Sequence, residues 1–167
     1  MKYMYLFFAL VIMQTNAQTS IDTIQKEIDQ TVWKPFQTAF ETLDAEALNN
    51  TYAANVLRVT PEKIDTKNVF KKGNIKRFMG MKEKGNAISL DFWFDDRKTN
   101  ETTSYEVGFY RIGFTLDGKT EYSYGQFHIV LQKIDGQWKI TQDWDTTAIA
   151  GETITASHFK KKEGIRF

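Results

Sequence analysis

The sequence predicts a single small α+β domain in which amphipathic helices pack on a curved antiparallel sheet. Apolar residues first recur at helical spacing, and long segments rich in aromatic and β-branched residues follow, separated by tight-turn signals. Helices that precede a run of strands, without alternating with them, are typical of α+β domains. A chain of 167 residues is long enough for one domain with its own core.

The composition excludes several classes of function. Apolar residues make up 41% and charged residues 26% of the chain, which is typical of globular proteins. A formal net charge of +1 gives no basic surface for nucleic acid, so we expect no such partner. The absence of cysteine excludes a thiol nucleophile, and the two histidines form no recognisable metal cluster. We therefore expect neither a metal nor a cofactor.

The first residues predict an exported protein. Lys2 supplies a short positive region, and Tyr3–Met13 is an apolar run of eleven residues. A polar region ending in small residues follows, so cleavage is expected between Ala17 and Gln18 and the product is expected in a periplasm or outside the cell. The apolar run is far shorter than the roughly 20 residues of a spanning helix, so we expect no membrane anchor. The expected division is a signal peptide at 1–17, the domain at 18–150 and a C-terminal tail at 151–167, whose end, Lys160–Phe167, is expected to be solvated.

The helical part is expected to begin with an irregular helix. Apolar residues over Ile24–Ala47 recur at spacings of three and four. Pro35 lies inside this stripe and removes a backbone hydrogen bond, so we expect either a kink near residues 31–34 or two abutting helices. Asp44 can cap a second helix from Ala45 to about Tyr52.

Shorter elements are expected between this part and the sheet. Val56–Thr60 predicts a short strand that Pro61 ends, and a second short strand is expected at Asn68–Lys71. A helix is expected over Ile75–Lys84, and Gly85 closes it.

The remainder of the chain predicts a meander of four strands. Asp117-Gly118 and Asp135-Gly136 are strong signals for two-residue hairpin turns, and a looser turn at 98–101 joins the first pair. The predicted strands are Ala87–Asp95, Thr103–Leu116, Lys119–Ile134 and Gln137–Thr147.

Two blocks of sequence carry a resemblance to a known family. The first runs over Phe40–Leu48 and Tyr52–Pro61, and the second is Gly125–Ile140, which ends in Gly-x-Trp-x-Ile. With the order of elements over residues 19–147, they resemble the nuclear transport factor 2-like superfamily. That superfamily includes ketosteroid isomerase, scytalone dehydratase and SnoaL-like cyclases. The resemblance implies a cone-shaped fold and says little about chemistry, because this fold hosts many unrelated activities.

The resemblance also argues against one activity. Ketosteroid isomerase uses a helical Tyr, an Asp base just before a Pro, and a protonated acid on the penultimate strand. Matching the blocks places Phe36, Thr60 and His128 at these positions. Phe36 has no donor and Thr60 cannot abstract a proton, so His128 is left as the candidate acid–base residue. A strand histidine hydrogen-bonded in a polar layer is the alternative.

The direction of His128 depends on the last hairpin. With a two-residue turn His128 lies opposite Asp143, and with a three-residue turn and a bulge it lies opposite Gln142. The resemblance favours the second register. The side chains then expected inside the cone are His128, Gln126, Gln142 and Trp144.

In that register three large apolar residues point to the sheet face that no helix covers. An uncovered apolar row is typical of an interface, and the resemblance implies dimerisation through this face, so we expect a homodimer. In the other register the same residues form the inner core. These residues are Phe127, Ile129 and Leu131.

The rest of the pocket is expected to be aromatic, although core packing would explain the same residues. The predicted pocket residues are Trp33, Phe36, Tyr52 and Phe92. Asp143 and Asp145 share one face of their strand, and such a pair either serves acid–base chemistry or is simply exposed near a strand end.

Three functions follow from these observations. The favoured one is an exported cone that binds a small, largely apolar ligand without catalysis, because the lining is aromatic and the isomerase residues are absent. The alternatives are an isomerase, dehydratase or cyclase that uses His128, and a protein-interaction domain.

Overall fold

The structure is a computed structural model, and it describes residues 21–159 and 164–167. The predicted signal peptide lies outside the described residues. Within those ranges, no helix is long and apolar enough to cross a membrane. The helices are α1 (21–28), α2 (Lys34–Glu41), α3 (Ala45–Asn50) and α4 (Val69–Glu83), with a π-helical turn at Asp29–Trp33 and a 3₁₀ turn at Ala156–Phe159. The strands are β1 (Tyr52–Thr60), β2 (Lys63–Asp65), β3 (Ala87–Thr99), β4 (Thr103–Leu116), β5 (Lys119–Ile134), β6 (Gln137–Thr146), β7 (Ala148–Ile149) and β8 (Glu152–Thr153).

Six strands form one curved sheet in the order β2-β1-β6-β5-β4-β3. Neighbouring strands are antiparallel except β1 and β6, which pair in parallel. The predicted α+β fold is confirmed, with the difference that the sheet is mixed. Parallel strands need a long crossover connection. Here β2, α4 and β3–β5 lie between β1 and β6 in the chain and form that connection.

Next to Pro35 the first helix changes to a π-helical turn, and the helix continues beyond it. The Lys34 N–H donates to the carbonyl of Asp29, five residues earlier, which is the hydrogen bond of a π-helical turn. Pro35 itself has no N–H to donate to the preceding turn. The helix is thus irregular near the predicted residues 31–34, but the irregularity is a π turn within a continuous helix and not a break between two helices.

The strand predicted at Asn68–Lys71 is wrong, because this segment begins α4. Asp65 accepts hydrogen bonds from the backbone N–H groups of Lys67 at 2.8 Å and Phe70 at 2.7 Å. A carboxylate at this position stabilises the start of a helix by satisfying N–H groups that lack partners within it. Helix α4 therefore starts at Val69, six residues before the predicted Ile75.

A buried charged cluster joins the first helical run to the sheet. Glu106 on β4 is 0% exposed, and its Oε2 accepts from Trp33 Nε1 at 2.8 Å and from Arg97 Nε at 3.0 Å. Its Oε1 accepts from Ser104 Oγ at 2.9 Å, and Arg97 also donates to Asp29 at 2.6 Å. Burial raises the pKa of Glu106, and the Arg97 charge opposes that rise. The cluster fixes the Trp33 ring against the inner face of the sheet.

The described part of the tail is largely exposed, but it contacts the sheet at several points. Ile154 is buried against Trp93. Ile165 exchanges two backbone hydrogen bonds with Phe92, at 2.7 and 3.2 Å. Gly164 lies so close to Trp93 that a Cβ atom would be 2.8 Å from its ring. The reason is that β3 is an edge strand with unpaired backbone groups that another segment can satisfy.

Replacing Glu106 with Ala should lower the free energy of unfolding by about 3–5 kcal/mol, because the Arg97 guanidinium loses its buried partner. Urea denaturation measures this loss. Glu101→Ala, which removes an exposed carboxylate from the β3–β4 loop, should change the same quantity by less than about 0.5 kcal/mol. Equal losses in the two variants would contradict the anchoring role of the cluster.

Candidate functional site

A cavity of about 250 Å³ lies between the helices and the inner face of the sheet. Its most buried walls are apolar: Trp33 is 2% exposed and Phe127 and Ile129 are each 4% exposed. The lining residues that reach solvent include Lys63 and Arg77. The cavity therefore has an apolar inner end and a charged rim.

The four aromatic residues predicted for the pocket line this cavity: Trp33, Phe36, Tyr52 and Phe92. The Trp33 ring centroid lies 5.0 Å from that of Phe92 and 6.0 Å from that of Phe36, so the rings pack against one another as well as against the open space. Thr60 also lines the cavity. A role of the four aromatic residues in ligand binding stays a prediction.

His128 lies on the opposite face of the sheet, so its predicted place inside the cone is wrong. It pairs with Trp144 on β6 and Val107 on β4, and its Nδ1 lies 2.6 Å from the Tyr105 hydroxyl. Burial lowers the pKa of His128. The alternation of strand side chains puts the other predicted cone residues on this outer face too, which corrects the placement of Gln126, Gln142 and Trp144.

His128 lies on the outer face because its neighbours on β5 point into the core, and a bulge in β6 that neither predicted register contained puts Trp144 there too. Asp135 and Gly136 form a two-residue turn with φ of 49° and 77°, as a tight hairpin requires. The bulge comes later, where the Val130–Gln142 pair is followed by Leu131–Ile140 and Thr141 is left as the extra residue. His128 is consequently opposite Trp144, and not opposite Asp143 or Gln142.

The residues predicted for a dimer face belong to the core. Phe127, Ile129 and Leu131 are 4%, 4% and 0% exposed, and the first two line the cavity. The outer face of the same strands carries other partly exposed apolar and aromatic side chains, namely Tyr105, Val107, Val130 and Trp144. The homodimer itself stays a prediction.

The observed register of β5 and β6 directs the carboxylates of Asp143 and Asp145 into the cavity, where both contact Arg58. Arg58 Nη1 donates to Asp143 Oδ1 at 3.1 Å, and Arg58 Nη2 contacts Asp145. Tyr52 Oη donates to Asp143 Oδ2 at 2.7 Å. The parallel pairing of β1 with β6 brings these groups together, because it sets Arg58 directly beside Asp143. We call Tyr52, Arg58, Asp143 and Asp145 the ionic cluster.

Burial governs the protonation of the ionic cluster. It raises the pKa of Asp143, and Asp145 adds to the rise while Arg58 and the Tyr52 hydrogen bond oppose it. Burial and the charge of Asp143 hold the pKa of Tyr52 well above its ordinary value, so the phenol keeps its proton and donates. The two carboxylates outweigh the cost of burial for Arg58, and its pKa is raised overall. The cluster is a set of hydrogen-bonding groups in which one arginine faces two carboxylates.

Tyr110 reaches the cavity because Gly125 lies opposite it on β5. A Cβ atom at position 125 would be 2.2 Å from Tyr110 Cζ, so a larger residue would displace the ring. Burial, followed by the charge of Asp145, raises the pKa of Tyr110, and its phenol also stays neutral. A glycine inside a long strand was the available sequence signal for this contact.

Arg58 is the residue of the ionic cluster that sequence reasoning missed entirely. It stands between Leu57 and Val59 in a predicted strand, and an arginine in such a run indicates a partner for its charge. Asp143 and Asp145 were recognised as sharing a face, but not as facing inward. Among residues 21–159 and 164–167, no group of three or more His, Asp or Glu side chains is arranged to hold a metal ion.

No protein-family model and no curated protein matches the sequence. Several solved structures are similar to the chain. An NTF-2-like protein of unknown function from Shewanella oneidensis is 20% identical, with 73% of this chain and 98% of that chain covered and a TM-score of 0.57. An NTF2-like protein with a cystatin-like fold from Novosphingobium aromaticivorans is 11% identical, with 86% and 91% covered and a TM-score of 0.63. An NTF2-like family protein from Streptomyces avermitilis, proposed to be a dehydratase, is 14% identical, with 77% and 99% covered and a TM-score of 0.61.

At these identities the likeness concerns the fold. The chain has the nuclear transport factor 2-like fold, as the sequence blocks predicted. The fold carries no particular chemistry with it, so the function has to be argued from the cavity.

Replacing Tyr52 with Phe should lower the free energy of unfolding by about 1–3 kcal/mol, because the buried Asp143 carboxylate loses a donor. Tyr105→Phe removes the same hydroxyl from the exposed side of the sheet and should cost less than about 1 kcal/mol. Urea denaturation compares the two. A larger loss for Tyr105→Phe would show that the Tyr52–Asp143 bond does not stabilise the fold as described.

Proposed function

We propose that this protein binds a small, largely apolar ligand in the cone cavity and performs no chemistry on it. The observation that carries the proposal is the aromatic inner wall around an open space of about 250 Å³. An engineered apolar cavity of roughly 150 Å³ takes up benzene, whereas pockets for drug-sized ligands start at about 300 Å³. The proposed ligand is therefore comparable to one substituted ring or a short branched chain.

The hydrogen bonding of Asp143 supports binding over proton transfer. Both of its carboxylate oxygens already accept hydrogen bonds, one from Tyr52 and one from Arg58. A general base must reach the proton that it abstracts, and these two bonds reduce the lone pairs of Asp143 that are open to a ligand. The outer position of His128 removes the support for the catalytic alternative built on that residue.

The ionic cluster has a positioning role in this proposal. Ligand sites are mostly apolar, with a few fixed polar groups that set the orientation of the ligand. Tyr52 and Arg58 are held by Asp143, so they present a rigid polar surface beside the aromatic wall. We further propose that the protein meets its ligand in a periplasm or outside the cell, because residues 1–17 read as a leader.

Replacing Ile112 with Phe should weaken the binding of small neutral probes at least about tenfold, because the added ring occupies the cavity that Ile112 lines. Isothermal titration calorimetry with 3-phenylpropanol, indole and cyclohexylmethanol measures the affinities. The matched control is Val107→Phe, on the same strand but the outer face, which should leave them unchanged.

Two results would contradict the proposal. One is that none of the three probes binds to the wild-type protein. The other is that Ile112→Phe, shown by thermal melting to be folded, binds the probes as the wild type does.

A further inference from the structure

We propose that the ligand is a small apolar carboxylic acid in its ionised form, whose carboxylate is held at the cavity rim by Arg77 with Lys63. The inference rests on the proposed function and adds the chemical class of the ligand. It follows from the distribution of charge around the cavity.

The charged side chains that line the cavity fall into two groups. Arg58 is ion-paired with both Asp143 and Asp145, so each charged group of the ionic cluster has a partner within it. Arg77 and Lys63 have no carboxylate within ion-pair distance in the part of the chain that the structure describes. The three cations that line the cavity outnumber its two carboxylates, so the lining keeps an excess of positive charge although Asp145 acts on Arg77.

Arg77 is held in place by contacts that leave it able to bind an anion. Its guanidinium carbon lies 5.2 Å from the ring centroid of Phe40, which lines the cavity, and 5.0 Å from that of Phe78. Cation–π stacking of this kind orients the guanidinium plane without using its N–H donors. Its Nη2 donates a long hydrogen bond of 3.4 Å to Asn74 Oδ1. Burial lowers the pKa of Arg77, but arginine stays charged at neutral pH.

The planar guanidinium matches the two oxygens of a carboxylate and can bind both at once. An acid with a ring or short chain would place this head group at Arg77 while its apolar body enters the space beside Trp33 and Phe127. A cationic ligand would meet repulsion from Arg77 and Lys63. A small inorganic anion would leave the aromatic wall without a partner.

The test compares 3-phenylpropionate with 3-phenylpropanol, because the two probes share a ring and chain and differ in the head group. Isothermal titration calorimetry at neutral pH should show that the wild-type protein binds the acid at least about tenfold more tightly than the alcohol. Arg77→Gln should abolish this difference by weakening the binding of the acid far more than that of the alcohol. Raising the salt concentration from about 0.05 to 0.5 M should weaken binding of the acid selectively.

Lys76→Gln is the matched control, because Lys76 precedes Arg77 on α4 but does not line the cavity. It should keep the full preference for the acid. Equal wild-type affinity for both probes would overturn the carboxylate inference and leave the proposed function standing, whereas failure of both probes to bind would overturn the two together. An equal loss for both probes in Arg77→Gln would mean that Arg77 acts through packing, and that result would also overturn the inference.

Discussion

One extra residue in β6 decides which side chains this fold presents to its cavity. Side chains alternate between the two faces of a strand, so a bulge exchanges the faces of every residue beyond it. The bulge at Thr141 allows Trp138 and Ile140 to enter the core on one side of it and Asp143 to enter on the other. The same shift leaves Trp144 on the outer face beside His128, whose own direction is set by the alternation of side chains along β5. The position of the bulge therefore sets the chemistry of the interior.

The inward carboxylates would be costly without the parallel pairing of β1 and β6. Buried charges need partners with good geometry, and Arg58 reaches Asp143 because the two residues stand side by side in that pair. In a second cluster the buried carboxylate of Glu106 is likewise supplied with partners, because Arg97 pairs with it and Trp33 donates a hydrogen bond to it. The aromatic wall thus lies between two hydrogen-bonded polar clusters, and the cavity cations without a salt bridge among the described residues, Lys63 and Arg77, lie at its rim.

The sequence predicts the elements that local chemistry controls. The bounds of β4 and β5 agree with prediction, because Asp-Gly turns and alternating residues define them without reference to the rest of the chain. The start of α4 was missed, since it depends on the Asp65 contacts. The site was predicted only for its aromatic residues. The inward direction of Asp143 depends on the bulge at Thr141, which the packing of Trp138 and Ile140 in the core favours. No turn residue in the sequence indicates this bulge. Export and dimerisation remain predictions.

The central claim is that the inner face of the sheet, and not the outer face that carries His128, receives the ligand. The most direct measurement is the set of intermolecular nuclear Overhauser effects between bound 3-phenylpropionate and isotope-labelled methyl groups. Contacts to the methyls of Ile112 and Ile129, which line the cavity, are predicted. Contacts to the methyls of Val107 and Val130 on the outer face, with none to Ile112 and Ile129, would contradict the account.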